Sequence, residues 1–319
     1  MSTNITELYD IPSSIIIFKA TFLGTIIVLS LILNTLTLII LHRMRDMNPI
    51  TRVFLTSMTV TDLCSLGYYF PIFASTVVNR WPFSDQYCTI VAFLTICLGS
   101  LYCLNLPLVN FERFIAVTRP FQYTTRLTVT RARATVITLW SVAAFSAIAR
   151  SLLPYKISYS PHMHGCTVGS QSVGSDIVGT IYTIVLAIIP LCLSIYFFIR
   201  LYTVARHHAR QIQVQERSCQ RNAVQGGSRS ELERKTSVTF FLMTVSLVVC
   251  MAPKIIVYTY ENITAEELNM WFVSIAVVMS ALNTIINVII YYWRTAAFRK
   301  AARDIILAQL KRIVRNELV

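Results

Sequence analysis

The sequence is poor in charged residues. Only 13% of its 319 residues are Asp, Glu, Lys or Arg, whereas 55% are hydrophobic and the mean hydropathy is +0.60. A soluble domain carries about 25% charged residues, so the composition argues against an ordinary cytosolic enzyme, a disordered tail and a nucleic-acid module. The net charge of +13 does not by itself indicate nucleic acid, because the basic residues lie between apolar runs.

Several other features are missing. The eight cysteines are too sparse for a disulfide-rich miniprotein, and they form no C-x-x-C pair. No basic segment precedes the first apolar run, which is also too long for a signal peptide, so we interpret that run as a membrane anchor. The sequence contains no nucleophile–base pair, P-loop or dinucleotide fingerprint, and we therefore expect no catalysis and no catalytic residues.

What the chain does contain is long apolar stretches. A membrane helix needs about 20 mostly apolar residues, and seven stretches meet this requirement. We therefore predict an all-α integral membrane protein, a bundle of seven transmembrane helices. No internal repeat is visible, and the runs are too continuous for a β-barrel. The polar connector 200–237 is predicted to be a loop and not a second domain, with frayed helix at both of its ends as the alternative. The seven stretches are 14–41, 52–78, 86–111, 133–153, 175–199, 238–260 and 269–293.

The basic residues predict the orientation. With the N-terminus outside, the inner connectors and the C-terminal tail hold 23 of the 28 Lys and Arg residues, and the outer side holds five. This asymmetry is what the positive-inside rule expects. Two glycosylation sequons, at Asn4 and Asn262, both fall outside in this topology. We expect a multi-pass plasma-membrane protein with an extracellular N-terminus.

The segment from Trp293 to Ile306 has apolar residues at helical spacing with basic residues between them. It is predicted to be a short amphipathic helix after the seventh, lying along the inner leaflet and contacting membrane lipids. A solvated basic tail is the alternative. The predicted organisation is thus an extracellular N-terminus at 1–13, the helix bundle at 14–293 and the amphipathic helix with a short cytoplasmic tail at 294–319.

Asp62 is an ionisable residue in the middle of the second stretch, where a charge costs at least about 2.5–3.5 kcal/mol. Asn34, Asn283 and Asn287 lie at comparable depth and are candidates to hydrogen-bond to it. Such a polar cluster suits a conformational switch or an ion site. A static polar plug that fixes the helix register is the alternative.

A second charged group stands at the inner end of the third stretch, in the triplet Glu112-Arg113-Phe114. Glu233 opens the sixth stretch at the same membrane face. A guanidinium between two carboxylates forms a charge-assisted pair that holds two helices together, and breaking it would free the sixth helix. An arginine that reaches to the headgroups is the alternative.

These residues together resemble a rhodopsin-like (class A) G-protein-coupled receptor over roughly residues 14–306. The resemblance implies a cell-surface receptor that binds a ligand within the bundle and activates a heterotrimeric G protein through Arg113. It also implies a disulfide between Cys88 and Cys166, and an ionic lock through Glu233, twenty residues before Pro253. Further matching positions are Asn34, Asp62, Trp81-Pro82-Phe83, Trp140 and Pro190.

The chain departs from the family pattern at three places. Met251 replaces the toggle tryptophan of the sixth helix, and Val288 replaces the proline between Asn287 and Tyr291, which puts the usual motion of Tyr291 in doubt. The sodium pocket of the family lies beside Asp62, where this chain has Tyr102. A sodium ion there and a pocket filled by the tyrosine ring are the two alternatives.

The expected ligand pocket excludes two ligand classes. Thr95 stands where amine receptors of the family have an aspartate, and Ala281 stands where opsins have a lysine. Lys254, directly after Pro253, faces the ligand cavity in the family. It is expected to receive an anionic ligand group, to pair with Asp176 or Glu261, or to extend outward towards the membrane surface. The predicted pocket residues are Thr95, Gly99, Tyr182, Lys254 and Tyr258.

The sequence also bears on metal binding, on the class of ligand and on alternative functions. His162 and His164 are too few ligands for a metal site, so no metal is expected, and proton sensing by them is an open alternative. The ligand is expected to be a small molecule, a peptide or a lipid, and no nucleic acid is expected. The alternative functions are a receptor-fold scaffold that does not signal and a membrane transporter.

Overall fold

The computed structural model describes residues 11–44, 47–152, 156–169, 177–218, 224–264, 266–296, 298–305 and 307. Its elements follow the predicted order, with one short hairpin added. A π-helical turn at Ile184–Ile188 joins α6 to α7. The elements are α1 Ser13–Arg43, α2 Pro49–Val78, α3 Asp85–Thr118, α4 Pro120–Arg126, α5 Val129–Leu152, β1 Lys156–Ser160, β2 Gly165–Gly169, α6 Ile177–Thr183, α7 Ile189–Ser218, α8 Val224–Thr264 and α9 Met270–Arg294.

Each of the seven predicted stretches corresponds to a long helix. Among the described residues, six helical segments are long and apolar enough to cross a membrane. The seventh, α2, has 30 residues but is less apolar, because Ser, Thr and Asp62 interrupt it. The predicted all-α membrane bundle is therefore confirmed, whereas the domain boundaries given above stay a prediction.

Local sequence signals explain where several helices begin. Asn48 caps α2 by accepting a hydrogen bond from the Ile50 amide at 2.9 Å, and Pro49 occupies the first helical position. Ser84 caps α3 and Asn269 caps α9 in the same way. These caps satisfy backbone N–H groups that have no partner inside the helix.

The third helix is the centre of the bundle. It contacts α2, α5, α7 and α8, while α1 packs between α2 and α9. Two clusters of buried apolar side chains lie along α3, one towards its N-terminal end and one towards its C-terminal end. Because successive helices run in opposite directions, the end of α3 lies at the same end of the bundle as the start of α2 and of α8.

The prediction of a loop at 200–237 is wrong for most of that segment. Helix α7 continues to Ser218 and α8 already begins at Val224, which leaves only 219–223 outside the described residues. The segment contains no proline, and its Arg, Gln, Ala and Glu residues are good helix formers. Its low hydropathy marks the end of the membrane span and not the end of the helix.

The connection between α5 and α6 contains a hairpin that the sequence analysis did not predict. Strands β1 and β2 are antiparallel, with Tyr159 opposite Cys166. The turn is closed by a hydrogen bond from the His164 amide to the Pro161 carbonyl at 3.1 Å, and His164 has a φ of 53°. Strands of five residues give too short an alternation to be recognised among long apolar runs.

Residues 298–305 after α9 are helical. The apolar side chains of this helix face the bundle, where Phe298, Ala302 and Ile305 pack against Ile40 of α1. Lys300 and Arg303 are exposed. This arrangement matches the predicted amphipathic helix and does not match a solvated tail.

Candidate functional site

A cavity of about 140 Å³ lies between α3, α6, the π-helical turn after α6 and α8, and the β-hairpin forms part of its wall. The structure brings together all five residues predicted for the ligand pocket, since each of them lines this cavity. Met251 also lines it, one turn before the lysine at 254. The five are Thr95, Gly99, Tyr182, Lys254 and Tyr258.

Lys254 is half-buried, and its ammonium group lies among aromatic rings. The Nζ atom is 5.2 Å from the ring centroid of Tyr68 and 5.9 Å from those of Tyr69 and Tyr258. These distances are typical of cation–π contacts. Among the described residues no carboxylate lies within ion-pair distance of Lys254. The pairing with Glu261 is not formed, because Glu261 contacts His162 instead; Asp176 lies outside the described residues.

A second cation lines the same cavity. Arg150, near the end of α5, is 6% exposed and donates a hydrogen bond to the Val168 carbonyl at 3.4 Å. The sequence analysis counted this arginine only among the five basic residues of the outer side, because its position in an apolar helix does not show which way its side chain faces. No carboxylate is among the described residues that line the cavity.

The hairpin is held over the cavity by covalent and polar contacts. Cys88 at the start of α3 and Cys166 of β2 form the disulfide that the resemblance implies, with their Cα atoms 5.4 Å apart. Lys19 of α1 is fully buried, and its Nζ donates to the Met163 carbonyl at 2.5 Å. Burial lowers the pKa of His164 to about 3, and the nearby Lys19 ammonium contributes.

The other loop histidine contacts acidic residues. His162 Nε2 lies 3.0 Å from Glu261, and its Nδ1 lies 3.3 Å from Glu267. Among the described residues there is no group of three or more His, Cys, Asp or Glu that could hold a metal ion. These contacts join the tip of the hairpin to the outer end of α8.

The predicted polar cluster is partly assembled around Asp62, which is 2% exposed. Tyr102 and Asn287 face the carboxylate, and Asn283 lines the same small cavity. Asn34 does not contact Asp62, because its amide donates to the Thr284 carbonyl at 2.9 Å. Asn34 therefore joins α1 to α9, while the other two asparagines stand beside the carboxylate.

The space beside Asp62 does not fit a hydrated sodium ion. The cavity that Tyr102 lines there measures about 10 Å³, which is room for a single water molecule. A sodium ion needs several oxygen ligands around it, and the phenol ring occupies part of that space. We therefore assign no role to sodium in this protein.

A network of polar contacts lies at the inner end of α3. Glu112 is 1% exposed and forms an ion pair with Arg113 at 2.7 Å. Tyr123 of α4 donates to the same carboxylate at 2.5 Å, and Thr51 of α2 donates at 3.1 Å. Arg113 also donates to the Thr51 hydroxyl. Phe114, the third residue of the triplet, packs against Phe197 of α7.

The other half of the predicted ionic lock falls outside the described side chains. The backbone of Glu233 lies in α8, but the side chain is outside the described residues. A different polar contact joins α3 to α8 one turn deeper: Asn110 donates to the Thr244 hydroxyl at 3.0 Å. The sequence analysis missed Asn110, although a buried amide in an apolar run is a recognisable signal.

The remaining predicted residues are placed as follows. Pro253 lies in the interior of α8, and Tyr291 is buried near the end of α9, against Phe298. Asn262 lies in the last turn of α8 and lines the cavity, while Asn4 lies outside the described residues. Their roles in switching and glycosylation stay predictions.

Seven packed helices, a disulfide over the outer cavity and a glutamate–arginine pair at the opposite end define a heptahelical receptor. The sequence matches the family model described as 7 transmembrane receptor (rhodopsin family) over residues 33–291. The chain therefore belongs to the rhodopsin family of seven-transmembrane receptors, and it is a cell-surface G-protein-coupled receptor and a multi-pass membrane protein.

Individual relatives are distant. The chain is 22% identical to the histamine H2 receptor of Cavia porcellus, over 92% of this chain and 81% of that receptor. It is 24% identical to the melatonin receptor type 1A of Ovis aries, over 93% and 79%. The fold is similar to that of squid rhodopsin, with a TM-score of 0.80, 14% identity and coverage of 97% of this chain and 91% of that chain. These similarities favour neither the scaffold nor the transporter alternative.

Proposed function

We propose that this receptor responds to a small extracellular ligand that carries an anionic group, and that Lys254 binds this group. The observation that supports the proposal is the position of the ammonium, which lines the cavity without a carboxylate within ion-pair distance among the described residues. A half-buried cation that no carboxylate of the described residues neutralises favours an anion supplied by the ligand.

The rest of the cavity suits the organic part of such a ligand. Tyr258 and Tyr182 offer ring surface, and the hydroxyl groups of Tyr182 and Ser100 lie 2.5 Å apart. Thr95 offers a short hydroxyl on the α3 wall. A histamine receptor is among the relatives, but Thr95 stands where amine receptors have their aspartate, and this supports an acidic ligand over an amine.

The proposal includes the direction of signalling, from a ligand outside the cell to a G protein inside it. The N-terminus and the hairpin lie outside the plasma membrane, and the end of α3 with Glu112 and Arg113 faces the heterotrimeric G protein inside. Two observations support this direction. Most basic residues lie on the side predicted to be inside, and the bundle has a cavity at one end and an arginine at the other. No catalytic step is assigned to the protein.

The ligand proposal is tested with paired compounds. A library in which each carboxylic acid is matched with its neutral amide is screened for G-protein activation in cells that express the receptor. We expect the active compounds to be acids. For each active acid, Lys254→Gln should reduce potency by about tenfold or more, because a charge-assisted hydrogen bond contributes about 1.5–3 kcal/mol, whereas Lys254→Arg should retain most of the potency.

Ile255, the next residue of α8, lines the cavity without a charge and provides the control substitution Ile255→Val, which should change acids and amides alike. The proposal is wrong if acids and amides activate equally, or if Lys254→Gln leaves the potency of every active acid unchanged at equal surface expression.

A further inference from the structure

The ligand cavity contains a second cationic side chain that the proposed function does not use. Arg150 lines the cavity from α5, and Lys254 lines it from α8. Among the described residues of the lining, these are the only charged side chains. A pocket that gathers two positive charges within a membrane bundle favours a ligand with more negative charge than one carboxylate supplies.

The two cations lie at different depths of the cavity. Arg150 lies near the outer end of α5, beside the hairpin. Lys254 lies one helical turn from Met251, which is the innermost α8 residue of the described lining. Along α3 this lining runs from Ala92 to Cys103, about 16 Å of helix. A ligand that contacts both cations therefore extends along the cavity, with one anionic group towards each end.

The contact between Arg150 and the hairpin is compatible with ligand binding. A guanidinium group has several N–H donors, and the bond to the Val168 carbonyl at 3.4 Å uses one of them. A carbonyl is neutral and leaves the positive charge in place, whereas a carboxylate accepts paired hydrogen bonds from a guanidinium. Arg150 can therefore hold the hairpin and bind an anionic group of the ligand at the same time.

The lining between the two cations is largely apolar. Ile96 of α3, Leu186 of the π-helical turn and Ile255 of α8 belong to it. The hydroxyl groups of Ser100 and Tyr182 are hydrogen-bonded to each other at 2.5 Å. We therefore expect the part of the ligand between its anionic groups to be a hydrocarbon chain or an aromatic ring.

We propose that the ligand is a small dianion, with one anionic group bound by Lys254 and the other by Arg150, and that its chemical class is a dicarboxylic acid with an apolar linker. This inference rests on the proposed function, because it adds a second anchor to an acid that Lys254 already binds. Each carboxylate then forms charge-assisted hydrogen bonds with one cation, and the apolar linker contacts the wall between them.

The experiment compares each dicarboxylic acid with its half-amide, in which one acid group is replaced by a neutral amide of the same size. Aliphatic and phenylene-linked diacids of increasing length are added to the purified full-length receptor in detergent. The apparent Kd is obtained from the dependence of the melting temperature on ligand concentration. We call the ratio of the half-amide Kd to the diacid Kd the diacid preference.

We expect at least one diacid to bind the wild type about tenfold or more tightly than its half-amide, because the half-amide loses a charge-assisted hydrogen bond. The diacid preference should be largest at one linker length, because the two cations are fixed on separate helices. Arg150→Gln should abolish the preference and leave the half-amide Kd nearly unchanged. Arg150→Lys retains the charge without the paired donors and should retain part of the preference.

Two control variants separate a ligand contact from effects on the hairpin and on the overall charge. Lys19→Met removes another cation that donates to a hairpin carbonyl, but Lys19 is not part of the described cavity lining. Arg80→Gln removes an exposed arginine of the outer side that is also not part of this lining. Both variants should leave the diacid preference unchanged, whatever the stability of the free receptor.

The inference is overturned if no diacid binds more tightly than its half-amide, or if Lys19→Met reduces the preference as much as Arg150→Gln does. In either case the proposed function still stands if the half-amides lose affinity in Lys254→Gln. If no acid of the series changes the melting temperature, or if Lys254→Gln leaves every Kd unchanged, both the inference and the proposed function are contradicted.

Discussion

Three cations lie at the outer half of the bundle, and two of them are held by carbonyl groups of the hairpin. Lys19 donates to the Met163 carbonyl, Arg150 donates to the Val168 carbonyl, and Lys254 lies over tyrosine rings. The first two therefore fix the hairpin to α1 and α5. Lys254 contacts no hairpin carbonyl among the described residues. Because its ammonium group does not hold the hairpin, we propose that it binds the ligand.

His164 gives the protein a predicted pH dependence. Its folded-state pKa is about 3, whereas an unfolded histidine has a pKa of about 6.5. Below pH 6.5 the unfolded chain takes up a proton that the folded chain does not, so stability falls with decreasing pH until about pH 3, by up to about 1.4 kcal/mol per pH unit. We expect the melting temperature in detergent to fall by several degrees between pH 7.5 and 5.5.

His164→Asn should make that fall smaller, because asparagine does not titrate and tolerates the φ of 53° found at this position. His42→Asn, at an exposed position of α1, should leave it unchanged. An equal fall in wild type and His164→Asn would show that His164 does not cause the pH dependence.

Tyr123 should restrain the signalling arginine. Burial and the adjacent Glu112 carboxylate raise the pKa of Tyr123 above its usual range, so its hydroxyl remains a donor to Glu112 at any physiological pH. Tyr123→Phe removes a charge-assisted hydrogen bond of about 1.5 kcal/mol or more, roughly tenfold in an equilibrium constant. We expect a several-fold increase in ligand-free G-protein activation, measured at equal surface expression.

The matched control is Tyr202→Phe, which removes a phenol hydroxyl from an exposed residue of α7. It should leave the ligand-free signal unchanged. If Tyr123→Phe behaves like this control, the hydroxyl does not restrain Arg113.

At the scale of the helices, a buried polar contact joins α3 to α8. A movement of α8 away from α3 would break it. The pair Asn110–Thr244 is buried, and Asn110 also donates to the Ser194 carbonyl of α7 at 3.4 Å. One side chain thus joins three helices. A contact of this kind stabilises one helix arrangement and is lost in another.

A double-mutant cycle tests this contact. Asn110→Leu and Thr244→Val should each lower the melting temperature by a few degrees, and the double variant should lose less than the sum, with a coupling free energy of about 1 kcal/mol. Ser246→Ala, which removes a hydroxyl that donates to the Met243 carbonyl within α8, is the control. Strict additivity of the two substitutions would rule out the coupling.

The elements could be predicted from the sequence to different degrees. The membrane helices, including the less apolar α2, follow from long apolar runs, whereas the cap formed by Asn48 and Pro49 became visible only in the structure. The helical extensions of α7 and α8 were missed because hydropathy reports the membrane and not the helix. The hairpin was missed because its strands depend on the disulfide and on Lys19, which are contacts distant in sequence.

The residues of the site could also be predicted from the sequence only in part. Thr95, Lys254 and Tyr258 could be placed in one cavity because the family resemblance supplies the relative positions of the helices. Arg150 could not be placed there, since the sequence does not show which face of a helix points inward when most residues are apolar. That Asn34 bonds to α9 and not to Asp62 likewise becomes visible only when α1 and α9 are packed.

The whole molecule places two different sites at opposite ends of one helix. The ligand cavity lies against the outer half of α3, and the Glu112–Arg113 pair lies at its inner end. Between them, α3 packs against α2, α5, α7 and α8. A ligand that moves α8 against α3 would act on the Asn110–Thr244 contact, one helical turn from Arg113, which is how we expect binding outside to reach the G protein inside.

The most direct test is ligand-free activation of G proteins in cells, measured across all Gα classes at verified equal surface density. The receptors compared are wild type, Glu112→Gln, and Glu112→Gln combined with Arg113→Leu. We predict that Glu112→Gln raises the signal through at least one Gα class and that the second substitution abolishes the increase. If all three receptors are silent with every Gα class, or if the signal persists without Arg113, the account of signalling through this arginine is contradicted.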